Sequence, residues 1–321
     1  MSPAARPALV QLGVLLAIAS YALYSWGDAL VKALGETVGM FEIGLICTLF
    51  SFIPGLLAKP KTEAWRDTFR LNNPWRMHMI AVLRVTSSVA ITYSFITIPL
   101  AEAYCIVFLI PVFITILSVV VLKEEVGLDR WFLVLLSFAG VLLVVRPGFR
   151  ELELGHLTAV LCAMAAAIAT TTTRLISGRE RRVSLFVLPT LYTLAFNGVM
   201  AVIVGFEMPN LVEWGVMLVC GLLGGCGYLL QLAAVANSPA SRVAPIQYSQ
   251  IVWALILGAI FFAEVPDSLA LAGLAVVVVA GVATVFVDGA RTRIAGRFAE
   301  YRARRKGAAP EPVPIPGPPD R

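Results

Sequence analysis

The sequence predicts an all-α membrane protein of ten transmembrane helices, and three observations carry that prediction. Ten stretches of roughly 20 apolar residues follow one another with short gaps between them. About 20 residues at 1.5 Å rise cross a ~30 Å hydrocarbon core, and backbone in lipid must satisfy its own hydrogen bonds, which runs of this length do as helices. Only 14% of the 321 residues are charged and 59% are hydrophobic, whereas soluble domains carry about 25% charged residues. Finally, Lys and Arg gather in alternate connections, as a multi-pass topology requires.

Taken in order, the spans fall at roughly 9–31, 37–58, 78–96, 100–122, 129–146, 155–176, 183–205, 211–235, 240–262 and 267–288. The first follows a single Arg and runs to about Leu30. That exceeds a signal-peptide core of 7–15 residues, so it reads as a retained helix. After the second span, residues 61–76, with Trp65 and Phe69, read as a segment lying on the membrane surface. This connection holds Lys59, Lys61, Arg66, Arg70 and Arg76, and later ones on the same side hold Lys123 with Arg130, Arg179 with Arg181 and Arg182, and Arg242. The opposite side holds only Lys32, Arg146 and Arg150. Positive charge stays inside, which places both termini in the cytoplasm of a bacterial inner (plasma) membrane protein. The net charge of +5 is therefore a topology signal with contact to lipid headgroups, and no nucleic acid partner is implied. Past Asp288, Ile294, Phe298 and Tyr301 recur at helical spacing among arginines, which suits an interfacial helix. A proline-rich end from residue 308 suits a disordered or polyproline chain.

The spans fall into two units. Sliding the chain by 139 residues lays 101–126 on 240–265 without a gap, so that Glu125-Val126 meets Glu264-Val265. Residues 90–100 then fall on 229–239, and a two-residue gap brings Gly140-Val141 onto Gly281-Val282. The divisions are 1–148 and 149–288, with a tail at 289–321. A duplicated unit with five helices must insert in opposite directions, which gives an inverted repeat, the architecture of alternating-access transporters.

Several segments carry a resemblance. They are Pro99 to Ala103 (Pro-Leu-Ala-Glu-Ala), Glu125, Arg146-Pro147-Gly148, residues 244–253 (Ala-Pro-Ile-Gln-Tyr-Ser-Gln-Ile-Val-Trp), Gly258, and Glu264-Val265-Pro266. Together they resemble the EamA family of the drug/metabolite transporter superfamily over roughly residues 9–288. The resemblance implies ten helices in two inverted five-helix repeats, with transport of small organic solutes without ATP hydrolysis. It also implies a cavity lined by spans one, three, four, six, eight and nine. The Pro-x-x-Tyr-x-Gln-x-x-Trp stretch is similar to members that take up S-adenosylmethionine or riboflavin. One departure is Cys47, which stands where relatives often carry Arg after Phe-Glu-Ile. Whatever an Arg contributes there is either missing or supplied by Arg84 or Arg174.

Candidate substrate-binding residues follow from polar and aromatic groups inside spans. Gln247, Gln250 and Trp253 recur every three residues and share a helix face, with Tyr248 beside it. Amides at membrane depth need a partner or a wet cavity, and an aromatic ring can stack on a flat solute or attract a cation. The plainer alternative is that they bridge helices and Trp253 packs. Tyr228 and Gln231 are three apart in the eighth span, next to Gly221, Gly224, Gly225 and Gly227, which suit close helix approach. Tyr24, Tyr93 and Tyr104 add to an aromatic lining. Arg84 is a candidate partner for a substrate carboxylate or phosphate, against the commoner fate of snorkelling to headgroups. Asp28 is the candidate proton-coupling group, with Tyr21 and Tyr24 within two turns, against a simple i,i+4 pair with Lys32. Glu125 and Glu264 read as pins at helix corners.

Other chemistries find no support. The five cysteines lie inside spans without a Cys-x-x-Cys pair, and His78 and His156 stand at span ends, so no metal site or cofactor is suggested. No phosphate loop, Gly-x-Ser-x-Gly or His-Glu-x-x-His occurs. The reading is a secondary transporter of a small organic metabolite and not an enzyme. Efflux, lipid-linked flipping and a passive channel stand as alternatives, and direction and oligomeric state are not encoded.

Overall fold

Eleven apolar helices make up most of the described part of the chain. The computed structural model describes residues 5–57, 69–121, 127–146, 151–176, 179–237 and 243–283. Glu125, Pro147-Gly148, Lys59, Lys61, Arg66, Lys123 and Arg242, most of the surface segment 61–76 and the tail after 283 lie outside it. The helices are α1 (Ala5–Leu34), α2 (Met40–Leu57), α3 (Pro74–Thr97), α4 (Leu100–Val107), α5 (Ile110–Val120), α6 (Leu128–Val145), α7 (Leu154–Ile176), α8 (Arg182–Val204), α9 (Leu211–Asn237), α10 (Ser249–Phe262) and α11 (Ser268–Ala283). Six stretches are long and apolar enough to cross a membrane: Gln11–Leu34, Pro74–Thr97, Leu100–Leu117, Leu154–Thr173, Ser184–Val204 and Leu211–Ala234. Met40–Pro54, Trp131–Val145, Ile246–Phe262 and Ser268–Ala283 are shorter apolar helices. No strand occurs among the described residues.

Two expected continuous spans are broken, and proline explains where. Residues 100–122 divide into α4 and α5 at Phe108-Leu109. Pro111, in the first turn of α5, has no N–H to return to Val107, so the ladder stops there. Leu109 instead closes a tighter turn by donating to the Ile106 carbonyl at 2.9 Å. The ninth span begins as a 3-10 turn, Ala244–Tyr248, with Pro245 in its first turn, and becomes α-helical at Ser249. The tighter turn rises ~2.0 Å per residue, so turn and α10 together reach about 31 Å. Helix therefore restarts at Ile110 and at Ser249, 139 positions apart, the same offset at which the sequence matches itself.

Small residues set the packing. Ala17, Tyr21, Ser25 and Ala29 recur every four residues along α1 and are buried. Ser20 donates to the Gly227 carbonyl at 2.7 Å, tying α1 to α9. Ala159, Ala163, Ala166 and Ala167 give α7 a smooth buried face for α3. The main packed pairs are α1 with α9 and α3 with α7, followed by α2 with α9, α3 with α8, and α2 with α8. α1 also meets α10, α7 meets α4 and α5, and α4 meets α10. The glycines of α9 divide by role. A Cβ at Gly221 would sit 2.6 Å from the Cys47 carbonyl, and one at Gly225 2.6 Å from that of Ser51, both on α2. Gly227 faces the Tyr24 ring, while a Cβ at Gly224 would meet nothing within 4 Å. Large apolar side chains such as Leu15, Phe132, Val202 and Ile260 cover the outside, as a lipid-facing surface requires.

Polar ties close the two ends of the bundle. At one end Lys32 Nζ lies 2.7 Å from Glu264 and donates to the Ile98 carbonyl at 2.7 Å, while the Leu100 N–H donates to Glu264 at 3.0 Å. His156 meets Glu102 at 3.1 Å, Arg146 pairs with Asp267, and the Glu207 N–H donates to Glu42 at 2.7 Å. At the other end, Glu180 accepts from the backbone N–H groups of Asn72 and Asn73. Asp28 and Lys32 stand one turn apart, but the expected i,i+4 pair does not form. Lys32 sits in the last turn of α1, where the carbonyl at the end of α3 and the Glu264 carboxylate are both in reach.

Candidate functional site

Of two hollows among the described residues, one carries charge. The larger, about 420 Å³, lies between α3, α7 and α8, with Met40 at its edge, and its lining is almost wholly apolar. The smaller, about 220 Å³, lies between α1, α2, α3 and α9. Asp28, Tyr24, Thr48, Ser51, Ser88 and Thr92 give it hydroxyls and one carboxylate. An ionisable group at membrane depth marks a functional site by default, so the smaller cavity is the candidate.

Asp28 anchors a chain of contacts through three spans. The Tyr104 hydroxyl on α4 donates to its carboxylate, and Gln250 Nε2 on α10 donates to the Tyr104 oxygen at 3.4 Å. Tyr104 is buried against Phe95, 5.4 Å between ring centres, and leans on Phe108. Phe108 meets Tyr248 at 4.8 Å. The α4–α5 break therefore places Phe108 beside the 3-10 turn that carries Tyr248, and the aromatic column joins both broken spans. Room for Tyr248 depends on Gly281, where a Cβ would fall 1.8 Å from the Tyr248 ring. Toward the opposite end, Tyr24 donates to Gln231 Oε1 at 3.2 Å and Gln231 Nε2 donates to Tyr21 at 3.1 Å. Tyr228 stacks on Phe186 at 5.4 Å with an interplanar angle of 15°.

The residues singled out from sequence do not form one cluster. Asp28 and Tyr24 line the charged cavity. Gln250 reaches it through Tyr104, and Tyr248 through the aromatic column. Arg84 is exposed on α3, one turn from the lining residue Ser88, and acts electrostatically on Tyr228. Tyr93 lines the larger hollow instead. Trp253 packs half-buried against the core of α4, α10 and α11, and Gln247 lies in the 3-10 turn beside Tyr248. Cys47 lines the charged cavity with Cys220. Sequence reading passed over the hydroxyls of Thr48, Ser51, Ser88 and Thr92, because single Ser and Thr residues in apolar helices look like ordinary bonds to the helix's own carbonyls. Among the described residues, no group of three or more His, Cys, Asp or Glu side chains is placed to hold a metal ion.

Comparison with known proteins agrees with a membrane carrier. A solved crystal structure superposes with a TM-score of 0.61 at 18% identity, covering 89% of this chain and 99% of that one, which shows a shared fold. A pseudopaline exporter of Pseudomonas aeruginosa is 28% identical over 280 residues, 86% of this chain and 96% of the exporter. An S-adenosylmethionine uptake transporter of Rickettsia bellii is 25% identical over 263 residues, 82% of this chain and 88% of the transporter. A riboflavin transporter of Rhizobium johnstonii is 25% identical over 197 residues, 61% of this chain and 65% of that protein. The model of the EamA-like transporter family matches twice, over residues 11–146 and 153–287. With apolar helices throughout and that family's model matching twice along its length, this multi-pass membrane protein is a member of the EamA-like transporter family.

Proposed function

We propose that the chain is a secondary transporter moving a small organic metabolite across a bacterial inner membrane by alternating access. Its ten spans form two inverted five-helix repeats, 1–148 and 149–288, with both termini cytoplasmic. The observation that carries this reading is the cavity between α1, α2, α3 and α9 with Asp28 in its wall. Three further observations support the repeats. The family matches once in each half, and helix restarts 139 positions apart, at Ile110 and Ser249. The packing also survives exchange of the halves. Pairing α1 with α7, α2 with α8 and α3 with α9 turns the α1–α9 contact into α7–α3, and α2–α9 into α8–α3.

In this reading the Lys32–Glu264 pair holds one entrance shut. It draws together α1, the α3–α4 corner and the end of α10. Opening that side separates the pair, and the cavity then faces the other solution. Asp28 is the proposed proton-coupling group, and the solute class is amino-acid-like or, following the relatives' names, S-adenosylmethionine- or riboflavin-like. Efflux is the second reading, favoured by the similarity to a pseudopaline exporter.

The test is uptake of labelled S-adenosylmethionine and riboflavin by cells expressing the chain or its Asp28→Asn variant. Saturable uptake of one solute is expected, with at least a tenfold loss and no remaining dependence on external pH in the variant. Equal uptake by both proteins would contradict a role for this cavity.

A further inference from the structure

α3 separates the two hollows and presents a different chemistry to each. Ser88, Ile91, Thr92 and Phe95 line the charged cavity, whereas Val85, Val89, Ala90 and Tyr93 line the larger hollow. The floor of the larger hollow is protein interior, with Val85 and Ala90 only 6% and 4% exposed. Its hydroxyls are mostly turned to protein partners. Thr86 donates to the Val82 carbonyl at 3.0 Å and Thr158 to that of Gly155 at 3.0 Å. The Tyr192 hydroxyl meets His78 Nδ1 at 2.7 Å. Water finds too few partners on such walls, and a charged solute finds no counter-charge. The volume of about 420 Å³ nevertheless falls in the ~300–1,000 Å³ range of ligand pockets.

The mouth opens sideways, toward lipid. Leu154, Leu157 and Leu161 form one exposed stripe along α7, and Phe196, Val199 and Ile203 another along α8. Leu154, Leu161 and Phe196 also line the hollow, with the exposed Val82 of α3. Through these residues the apolar outer surface continues inward.

Depth gives the length of the occupant. On α3 the lining runs from Val82, near the middle of the helix, to Tyr93, one turn before its end at Thr97. Those eleven steps measure about 16 Å, the depth of one leaflet of a ~30 Å hydrocarbon core. Leu154 and Met40, the first residues of α7 and α2, lie in the lining, and a Cβ on Gly155 would fall 2.2 Å from Thr97. One end of the hollow is therefore where helices begin and end. Tyr192, near the middle of α8, marks the other end.

We propose that this hollow seats one acyl chain of a bilayer phospholipid, with the headgroup at the Leu154 end and the methyl end near Tyr192. The chain packs behind the helix whose opposite face walls the charged cavity, and its binding is independent of the solute carried.

The experiment is photolabelling of the full chain in vesicles of phosphatidylethanolamine and phosphatidylglycerol. A trace of phosphatidylethanolamine carries a diazirine on one acyl chain, placed either at the methyl end or near the ester, and labelled residues are located by mass spectrometry. The methyl-end probe is expected to mark Val85 or Tyr192, and the ester-proximal probe Tyr93 or Thr158. Val89→Phe fills the hollow toward the close packing of an interior and should cut this labelling about fivefold, with Phe132 and Val202 on the outer surface still labelled as before. Label confined to outward residues such as Phe132 and Val202, or both probes marking the two ends equally, would overturn the proposal. Undiminished labelling of the hollow in the folded Val89→Phe variant would overturn it too. Should that variant fail to fold, the pattern of the two probes on the unsubstituted chain decides alone.

Discussion

Tyr248 and Gly281 show how closely single side chains define the interior. The Tyr248 ring lies where a Cβ on Gly281 would stand, 1.8 Å away, so even a methyl group there must displace an aromatic wedged against Phe108. Overpacking of this kind costs roughly 1–3 kcal/mol. Gly281→Ala is therefore expected to lower the melting temperature of the purified chain, and Tyr248→Leu in the same background to restore most of it. An unchanged melting curve for the single variant would show that the ring has room to move. At this scale the sequence was only partly legible. Asp28 and Tyr24 were identifiable because a carboxylate and a phenol in apolar spans have few structural uses. The partners were not identifiable, because Tyr104 and Gln250 reach Asp28 from spans far away in sequence. The spacing of Asp28 and Lys32 suggested a local pair, and a tertiary partner 232 positions along the chain from Lys32, Glu264, won instead.

Helix ends and helix breaks carry the next level of design. Lys32 and Glu264 are both mostly buried, with side chains 11% and 18% exposed. Removing one member of such a pair leaves an uncompensated charge and costs about 3–5 kcal/mol. Lys32→Ala is accordingly expected to destabilise the chain strongly, whereas Lys32→Met combined with Glu264→Gln should be less harmful than the sum of the two single changes. A double-mutant cycle measured by melting reads this directly, and a coupling below about 0.5 kcal/mol would contradict the pinned corner. The position of Glu264 at a corner was readable from its place in the repeated Glu-Val motif. The break at Phe108-Leu109 was not, since residues 100–122 are apolar throughout and run length alone predicts one span. Pro111 was the available signal. Its effect depends on whether neighbouring helices can re-satisfy the freed carbonyl, which a linear reading does not contain.

For the molecule as a whole, the proposed two inverted repeats of ten spans make a topological prediction. An even number of crossings would return the C-terminus to the side of the N-terminus, and by the positive-inside rule the arginine-rich tail predicts that side to be the cytoplasm. Reporter fusions at the two ends should both report cytoplasm, and opposite locations would exclude a ten-span chain. The all-helical membrane character was the most legible property of all, because run length is written along the chain. The cavity was the least legible, because it is a space between α1, α2, α3 and α9 and belongs to no single segment.

Alternating carriage across this cavity is the central claim, and exchange through reconstituted vesicles tests it most directly. Proteoliposomes loaded with unlabelled S-adenosylmethionine, L-methionine or L-tryptophan are diluted into a trace of the same labelled compound. A carrier that must reorient with its site occupied accumulates label transiently against no net gradient, and Asp28→Asn should abolish that overshoot while the protein still melts cooperatively. Label that merely equilibrates, without an overshoot for any of the three and without saturation, would mean an open pathway and would contradict the account.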